Sequence, residues 1–235
     1  MAHIKFNNVT LKYPIYNAGG MSLKKHLVNV STGGRLSKDV HNIVTITALD
    51  DVSFELNDGD AVGLIGHNGA GKTTLLRTMA GIYCPTSGTI DRNGKVSTII
   101  ESGAGLDSEL NGYENITRMG LMLGLKLDEI SEIIPSIIEF TELGNFLEAP
   151  LRTYSSGMLM RLMFAVSTAS KPVILLVDEM FSTGDKEFQD KARARMEGVI
   201  STAKIFVFAS HSDALIKEFC NRIFEIQHGT VKEIS

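Results

Sequence analysis

Cysteine is almost absent from this chain: of 235 residues, only Cys84 and Cys220 carry a thiol. They stand far apart and without the spacing of metal ligands, which excludes a disulfide framework and a zinc site and suits a reducing compartment. Long apolar runs are missing as well. The longest, such as Val173 to Val177 and Ile205 to Ala209, have five residues, against roughly 20 for a membrane-spanning helix, so no segment is expected to cross a bilayer. Blocks of like charge are also lacking. With 23 Lys plus Arg against 27 Asp plus Glu the formal charge is −4, no basic face awaits a phosphate backbone, and nucleic acid is not an expected partner. The opening MAHIKFNNVT has neither the apolar core nor the cleavage pattern of a secretory signal, so the expected site of action is inside the cell. No repeat and no low-complexity stretch is present, which removes solenoids and propellers. What remains is an ordinary globular balance, 43% hydrophobic and 21% charged, at a length that fits one large domain or a core with an inserted subdomain.

The punctuation of the chain defines its parts. Ile4 to Tyr13 reads as a strand, and Pro14 to His41, rich in Gly, Ser, Asn and Lys, reads as a loop insertion. Within it Ser22 can cap a short helix through Val28, with Leu23 and Leu27 on one face and Lys24 and Lys25 on another. Strands are expected at Ile43 to Ala48 and Val52 to Leu56, then a turn at Asn57-Asp58-Gly59, and a third strand at Ala61 to Ile65. Thr73 to Met79 reads as a helix. Asn93-Gly94, between the β-like runs of Asp91 to Ile100, predicts a hairpin. From about Tyr113 to Ser170 the period is helical, with Ile130, Ile133, Ile134, Ile137 and Ile138 three and four residues apart. Val173 to Val177 and Ile205 to Ala209 are continuous apolar runs of the kind buried in a parallel sheet. The class is α/β with an inserted helical subdomain.

The strongest chemical signal is GHNGAGKTT: Gly66, His67, Asn68, Gly69, Ala70, Gly71, Lys72, Thr73 and Thr74. It satisfies the phosphate-loop pattern G-x-x-x-x-G-K-[ST], with an apolar strand before it and a helical pattern after it. Glycines let backbone N–H groups turn inward and approach phosphate oxygens where a Cβ would obstruct them. Lys72 brings a cation to the β and γ phosphates, the Thr73 hydroxyl is placed to ligate Mg²⁺, and the helix beginning there directs its positive end at the anion. The loop alone indicates a bound nucleoside triphosphate and is shared by GTPases, kinases and motor ATPases.

Two further features suit a triphosphate. The apolar run from Val173 ends in Asp178 and Glu179; the first acid can hold Mg²⁺ through water and the second can polarise the attacking water, since successive side chains at a strand end point different ways. After the next apolar run comes His211, at the C-terminal end of a strand and hence on the ligand side of a parallel sheet, able to hydrogen-bond the γ-phosphate and orient the water against Glu179.

Tyr154-Ser155-Ser156-Gly157-Met158, at the start of a helical run, reads by itself as a helix cap. Together with the phosphate loop, the acidic pair and His211 it resembles the signature motif of ABC-transporter ATPase subunits, and the match covers nearly the whole chain. The resemblance implies a P-loop NTPase core with an antiparallel β part and an inserted helical subdomain. It makes residues 1–235 a single nucleotide-binding domain with a loop insertion at about 14–41, a helical subdomain at about 106–170 carrying the signature, and no C-terminal carbohydrate-binding domain. It implies that Tyr13 stacks on adenine. It further implies that Ser155, Ser156, Gly157 and Met158 close over ATP held by a second subunit, and that Ser182-Thr183-Gly184-Asp185 is the loop that crosses to that subunit. Two ATPs are then sandwiched in a head-to-tail homodimer.

Departures from the general pattern narrow the subfamily. YSSGM replaces the commoner LSGGQ, and Glu101, in Glu101-Ser102-Gly103-Ala104-Gly105, stands where a glutamine is expected and inherits its metal-facing role with a carboxylate in place of an amide. With Leu110 to Ile116 (LNGYENI) and Gly184-Asp185 these features resemble the ATPases that export O-antigen, capsule or teichoic-acid polysaccharides. That resemblance implies an ATP- and Mg²⁺-dependent ATPase on the cytoplasmic face of the bacterial inner membrane, paired with two copies of a separate transmembrane permease that moves a lipid-linked polysaccharide. The short helix near Met21 to Val28 reads either as an element meeting lipid headgroups or as a solvated, partner-facing loop. The alternatives are capsule or teichoic-acid export, a soluble ABC ATPase acting on ribosomes or DNA, and an NTPase of another family.

Overall fold

The computed structural model describes residues 1–15, 36–38, 44–99, 105–169, 172–178 and 186–234. Most of the insertion at 14–41 lies outside them. In chain order the first elements are β1 (His3–Ile15), β2 (Leu36–Lys38), β3 (Val44–Asn57), β4 (Ala61–Ile65), α1 (Lys72–Met79), β5 (Ser87–Asn93) and β6 (Val96–Ile99). They are followed by α2 (Gly112–Met122), α3 (Leu127–Thr141), α4 (Ser156–Ala169), β7 (Ile174–Asp178), α5 (Lys186–Thr202), β8 (Ile205–Ala209), α6 (Asp213–Phe219), β9 (Arg222–Gln227) and β10 (Thr230–Glu233). The chain forms two compact units, residues 1–94 with 204–235, and residues 95–203.

In the first unit β1 lies between β3 and β5, antiparallel to both, with β2 beyond β3. Its buried positions change parity along the strand. Ile4 and Phe6 point into the core, then Val9 and Leu11 do, because Asn8 (φ 49°) inserts an extra residue where the register with β3 shifts. Opposite it, Asp51 (φ 48°) makes the same excursion in β3. Side chains replace the ladder bonds lost there: Ser53 Oγ accepts from Asn8 N at 2.8 Å, Asp51 Oδ1 from Asn8 Nδ2 at 2.8 Å, and Thr10 Oγ1 from Asp51 N at 3.2 Å. This is why the expected pair of strands at 43–48 and 52–56 is one continuous β3. The Asp50-Asp51 polar break is an irregularity inside a strand rather than a turn.

Within the same unit, β4 is flanked in parallel by β8 (Val62↔Val207) and β9 (Leu64↔Phe224), and β10 returns antiparallel to β9. The apolar runs AVGLI and IFVFA sit in the core for the reason that parallel strands read as unbroken hydrophobic stretches. Gly63 lets α6 close on β4, since a Cβ there would meet Ile216 Cγ2 at 2.6 Å. Phe54 stacks on Phe6 at 4.5 Å and meets Phe224 edge-on at 5.3 Å, joining the antiparallel layer to β9.

The predicted hairpin at Asn93-Gly94 does not form. β5 pairs with β1, while β6 pairs in parallel with β7 (Val96↔Ile174, Ile99↔Val177). A left-handed Gly94 (φ 127°) serves here as the exit from one unit into the next. Asn93 stays in the strand, paired with His3, and only Gly94 turns left-handed, because each flanking strand finds its partner elsewhere.

The second unit packs α2, α3 and α4 around Ile116, Ile130, Ile137, Leu147, Leu162 and Val166. Of the five periodic isoleucines, Ile130 and Ile137, two turns apart, are the fully buried ones, and Ile133, Ile134 and Ile138 flank them. Asn111 and Glu114 close a reciprocal capping box at the start of α2. Asn115, wholly buried, then organises the preceding loop. Its Nδ2 donates to the carbonyls of Asp107, Leu110 and Asn111 at 2.9 to 3.1 Å, and its Oδ1 accepts from Asp107 N at 2.8 Å. Replacing Asn115 with Ala leaves that cluster of backbone groups unsatisfied and is expected to cost about 2–3 kcal/mol, against about 1 kcal/mol for Asn111→Ala, which removes a cap. Urea midpoints of the two variants test the ranking.

Candidate nucleotide site

The phosphate loop leaves the C-terminal end of β4 and runs into α1 without a side-chain cap and without an acid in the first helical turn. A helix start of that kind offers its dipole to an anion. The loop is braced from below. Gly66 (φ +152°) lies against β9 so closely that a Cβ would sit 2.5 Å from the Ile226 carbonyl oxygen, and Gly71 (φ +121°) lies over the Ala48 carbonyl. Gly229 N, in the β9–β10 turn, donates to Ala70 O at 3.2 Å, and the rings of His67 and His228 are 5.5 Å apart. Across the loop Lys72 Nζ donates to Gly66 O at 2.7 Å and His67 O at 3.4 Å, at 8% exposure. These charge-assisted bonds stabilise the loop's own curvature. His67, Asn68 and Gly69 form the exposed crest, with His67 Nδ1 2.9 Å from Asn68 O, and Ala70 is buried beneath.

Thr73 and Thr74 lie half-buried in the first turn of α1. Thr74 stands beside the Tyr13 hydroxyl, near the end of β1. Burial pushes the Tyr13 phenol up to about 12, so the ring is uncharged across the physiological range. His211 follows β8, whose Ala209 is in register with Leu64, two residues before Gly66. It therefore leaves the same end of the sheet as the loop, and it is exposed. The first unit thus places the loop and His211 at one end of a parallel sheet, where ligands of such sheets bind, and Tyr13 on β1 of the antiparallel sheet.

In the second unit Asp178 is the half-buried last residue of β7, after a strand that is otherwise fully buried. Ser155 caps α4: its Oγ accepts from Met158 N at 3.2 Å and its carbonyl from Leu159 N at 3.0 Å. Ser155 and Ser156 are exposed, and Gly157 and Met158 are half-buried. Tyr154 behind them is buried and donates its hydroxyl to Phe146 O at 2.6 Å. Glu101, Glu179 and Asp185 lie outside the described residues. Sequence reasoning missed the braces Ile226, His228 and Gly229. The only signal available was the His-Gly turn itself, which says nothing about what it packs under. Among the described residues no helix is long and apolar enough to cross a membrane.

The loop geometry predicts a thermal-shift result. ATP at about 100 times its dissociation constant should stabilise the protein by about 2.7 kcal/mol, several degrees in Tm. In Lys72→Ala the ATP-dependent shift should vanish while a cooperative unfolding transition remains.

Comparison with known proteins bears on the same residues. The ABC transporter family profile matches residues 49–182. The O-antigen export system ATP-binding protein RfbE of Yersinia enterocolitica is 60% identical over all of this chain and 98% of its own length. The teichoic acids export ATP-binding protein TagH of Bacillus anthracis is 40% identical over 98% of this chain and 40% of its own length. A solved dimeric ATP-binding cassette in a post-hydrolysis state, bound to ADP and Pi, superposes over 99% of this chain and 98% of its own with a TM-score of 0.73 at 20% identity, a likeness of fold. The fold is the ABC ATPase form of the P-loop NTPase core. This chain belongs to the ABC transporter family, as an ATP-binding and ATP-hydrolysing subunit.

Proposed function

We propose that the chain is the ATPase subunit of an exporter that moves a lipid-linked O-antigen polysaccharide across the bacterial inner membrane. The observation that carries this reading is the end-to-end identity of 60% with an O-antigen export ATP-binding protein, which extends well beyond the motifs every ABC ATPase shares. YSSGM and LNGYENI are the local features that accord with it. Teichoic acids export ATP-binding proteins match at a lower 40% identity, over 40% to 83% of their own lengths, so they support the ATPase part and rank the teichoic-acid substrate second. In this reading the subunit sits at the cytoplasmic face as a homodimer on two copies of a permease, a separate polypeptide that provides the pathway.

The roles follow from the chemistry of the residues. Tyr13 stacks on the base. Gly66 to Thr74 wrap the phosphates in backbone amides, and Lys72 turns from its carbonyls to the β and γ oxygens. Ser155, Ser156, Gly157 and Met158 offer a capped helix start to the ATP of the partner subunit, and Asp185 lies in the crossing loop. Glu179 accepts a proton from the attacking water, and His211 hydrogen-bonds the γ-phosphate. Thr73 and Asp178, with Glu101, are the residues that would hold Mg²⁺. The donor set fits it, being a hydroxyl and carboxylates with neither thiol nor imidazole among them. Bound there, the ion would neutralise charge on the transferring phosphoryl group. ATP binding closes the dimer and hydrolysis reopens it, and the second unit passes the motion to the permease.

Glu179→Gln is expected to lower steady-state phosphate release by at least about a hundredfold while ATP converts the protein to a dimer on size exclusion. In the host, the same variant supplied in place of the native gene should leave the lipid-linked polymer unexported. Unimpaired turnover would remove the role given to Glu179, and unaltered surface polysaccharide would remove the substrate.

A further inference from the structure

Beside Tyr13 stands a second aromatic whose position is fixed by the phosphate helix. Tyr83 follows α1 by four residues, and three contacts tie it to Arg77 in the last turn of that helix. Its backbone N donates to Arg77 O at 3.4 Å, its hydroxyl accepts from Arg77 Nη1 at 2.9 Å, and the guanidinium carbon lies 5.7 Å from its ring centroid. The segment after it is strapped to β1 next to Tyr13: Thr86 Oγ1 accepts from Lys12 N at 2.9 Å, and Thr86 N donates to Thr10 O at 2.8 Å. So placed, Tyr83 meets Tyr13 at 5.5 Å between centroids and 77° between planes. Whichever ring supplies the edge of this T-shaped pair, at least one face of Tyr13 is left clear of Tyr83.

Thr74 and Arg77 are three residues apart and therefore neighbours on one side of α1. Thr74 stands beside Tyr13, and Arg77 holds Tyr83, which meets the Tyr13 ring. A single helix thus presents phosphate ligands at its start and, along one flank, two side chains that fix an aromatic pair. We propose that Tyr83, clamped by Arg77, is a positioning residue for the nucleotide base, holding the Tyr13 ring at a fixed setting relative to the phosphate loop. The proposal rests on the assignment of Tyr13 to the base. Tyr83 itself need not touch the nucleotide. Its contribution is to hold Tyr13 in place before the base arrives, so that less ordering is required on binding.

The test separates base from phosphate. Affinities for ATP and for inorganic tripolyphosphate are measured by calorimetry on the native protein, Tyr83→Ala, Tyr83→Phe, Tyr13→Ala and the Tyr13→Ala/Tyr83→Ala double variant. Base stacking on an aromatic ring contributes about five- to about 150-fold in affinity. Tyr13→Ala should accordingly weaken ATP by about tenfold or more, and Tyr83→Ala by about three- to tenfold, with tripolyphosphate unchanged in both. Tyr83→Phe keeps the ring but loses the bond to Arg77, and should fall between native and Tyr83→Ala. The double variant should bind ATP no more weakly than Tyr13→Ala alone, because a positioning residue has nothing left to position. If Tyr13→Ala weakens ATP and neither Tyr83 variant does, the positioning role is overturned and the base assignment stands. If neither Tyr13→Ala nor Tyr83→Ala alters the ratio of the two affinities, the base assignment itself fails. Equal loss of ATP and tripolyphosphate in the Tyr83 variants would mean damage to the loop and would also overturn the proposal.

Discussion

The approach of Gly66 to the Ile226 carbonyl is the constraint on which the nucleotide site depends. No side chain fits in that gap, so β9 sets the height of the loop and the Lys72 bonds across it set its curvature. The far end of β9 is pinned in turn. Arg222 donates to Asp60 at 2.7 Å, to both carboxylate oxygens of Glu233 at 2.6 and 2.8 Å, and to the Glu55 carbonyl at 3.1 Å. The pairing holds the Glu233 carboxyl below its ordinary range. Each of these partly exposed bonds is weak alone. Together they join β3, β4, β9 and β10, all four of which run beneath or beside the loop. Such a frame lets the phosphates meet oriented N–H groups without first ordering the backbone, which is how preorganised dipoles gain their effect.

The second unit obtains rigidity differently, from a half-buried cation. Arg195 of α5 donates to Thr168 Oγ1 at 2.8 Å and to Ala165 O at 3.2 Å, both in α4, and its guanidinium lies 4.5 Å from the centroid of Phe140 in α3. Phe140, Phe164 and Phe188 form one ring cluster, with Arg161 4.9 Å over Phe188. Burial lowers the Arg195 pKa, but a guanidinium starts so high that it remains charged. A planar cation with this many directional partners fixes the rotation of three helices, whereas leucine packing alone tolerates sliding. Ser155 caps the same helix, α4, that Arg195 ties to α3 and α5.

How far the sequence revealed this arrangement depends on the range of each interaction. The phosphate loop, the cap at Ser155 and the parallel strands were legible because each is determined by consecutive residues or one period. The break at Asp50-Asp51 was misjudged because the bonds that heal it come from Asn8, Thr10 and Ser53 on both strands. Asn93-Gly94 has the right residues for a two-residue turn, yet β5 and β6 are claimed by β1 and β7. Tyr83 and Arg195 gave no signal at all. An aromatic and an arginine without a motif acquire meaning only from the rings and carbonyls that folding brings to them.

The arrangement around α1 also bears on what nucleotide recognition can contribute to a transport cycle. Most of the affinity for a triphosphate comes from charge and amides, and this part is blind to the base. A base on one aromatic ring adds about 1–3 kcal/mol, equivalent to about five- to about 150-fold in affinity. A contribution of that size is cut by about half if the ring is free to turn, because immobilising one side chain consumes about 0.5–1.5 kcal/mol. Fixing Tyr13 through Thr74 and Tyr83 preserves it without adding contacts that would hold the product. Because both supports spring from the helix that carries the phosphate ligands, base and phosphates are registered to one rigid element, and a shift of that helix is felt at both ends of the nucleotide together.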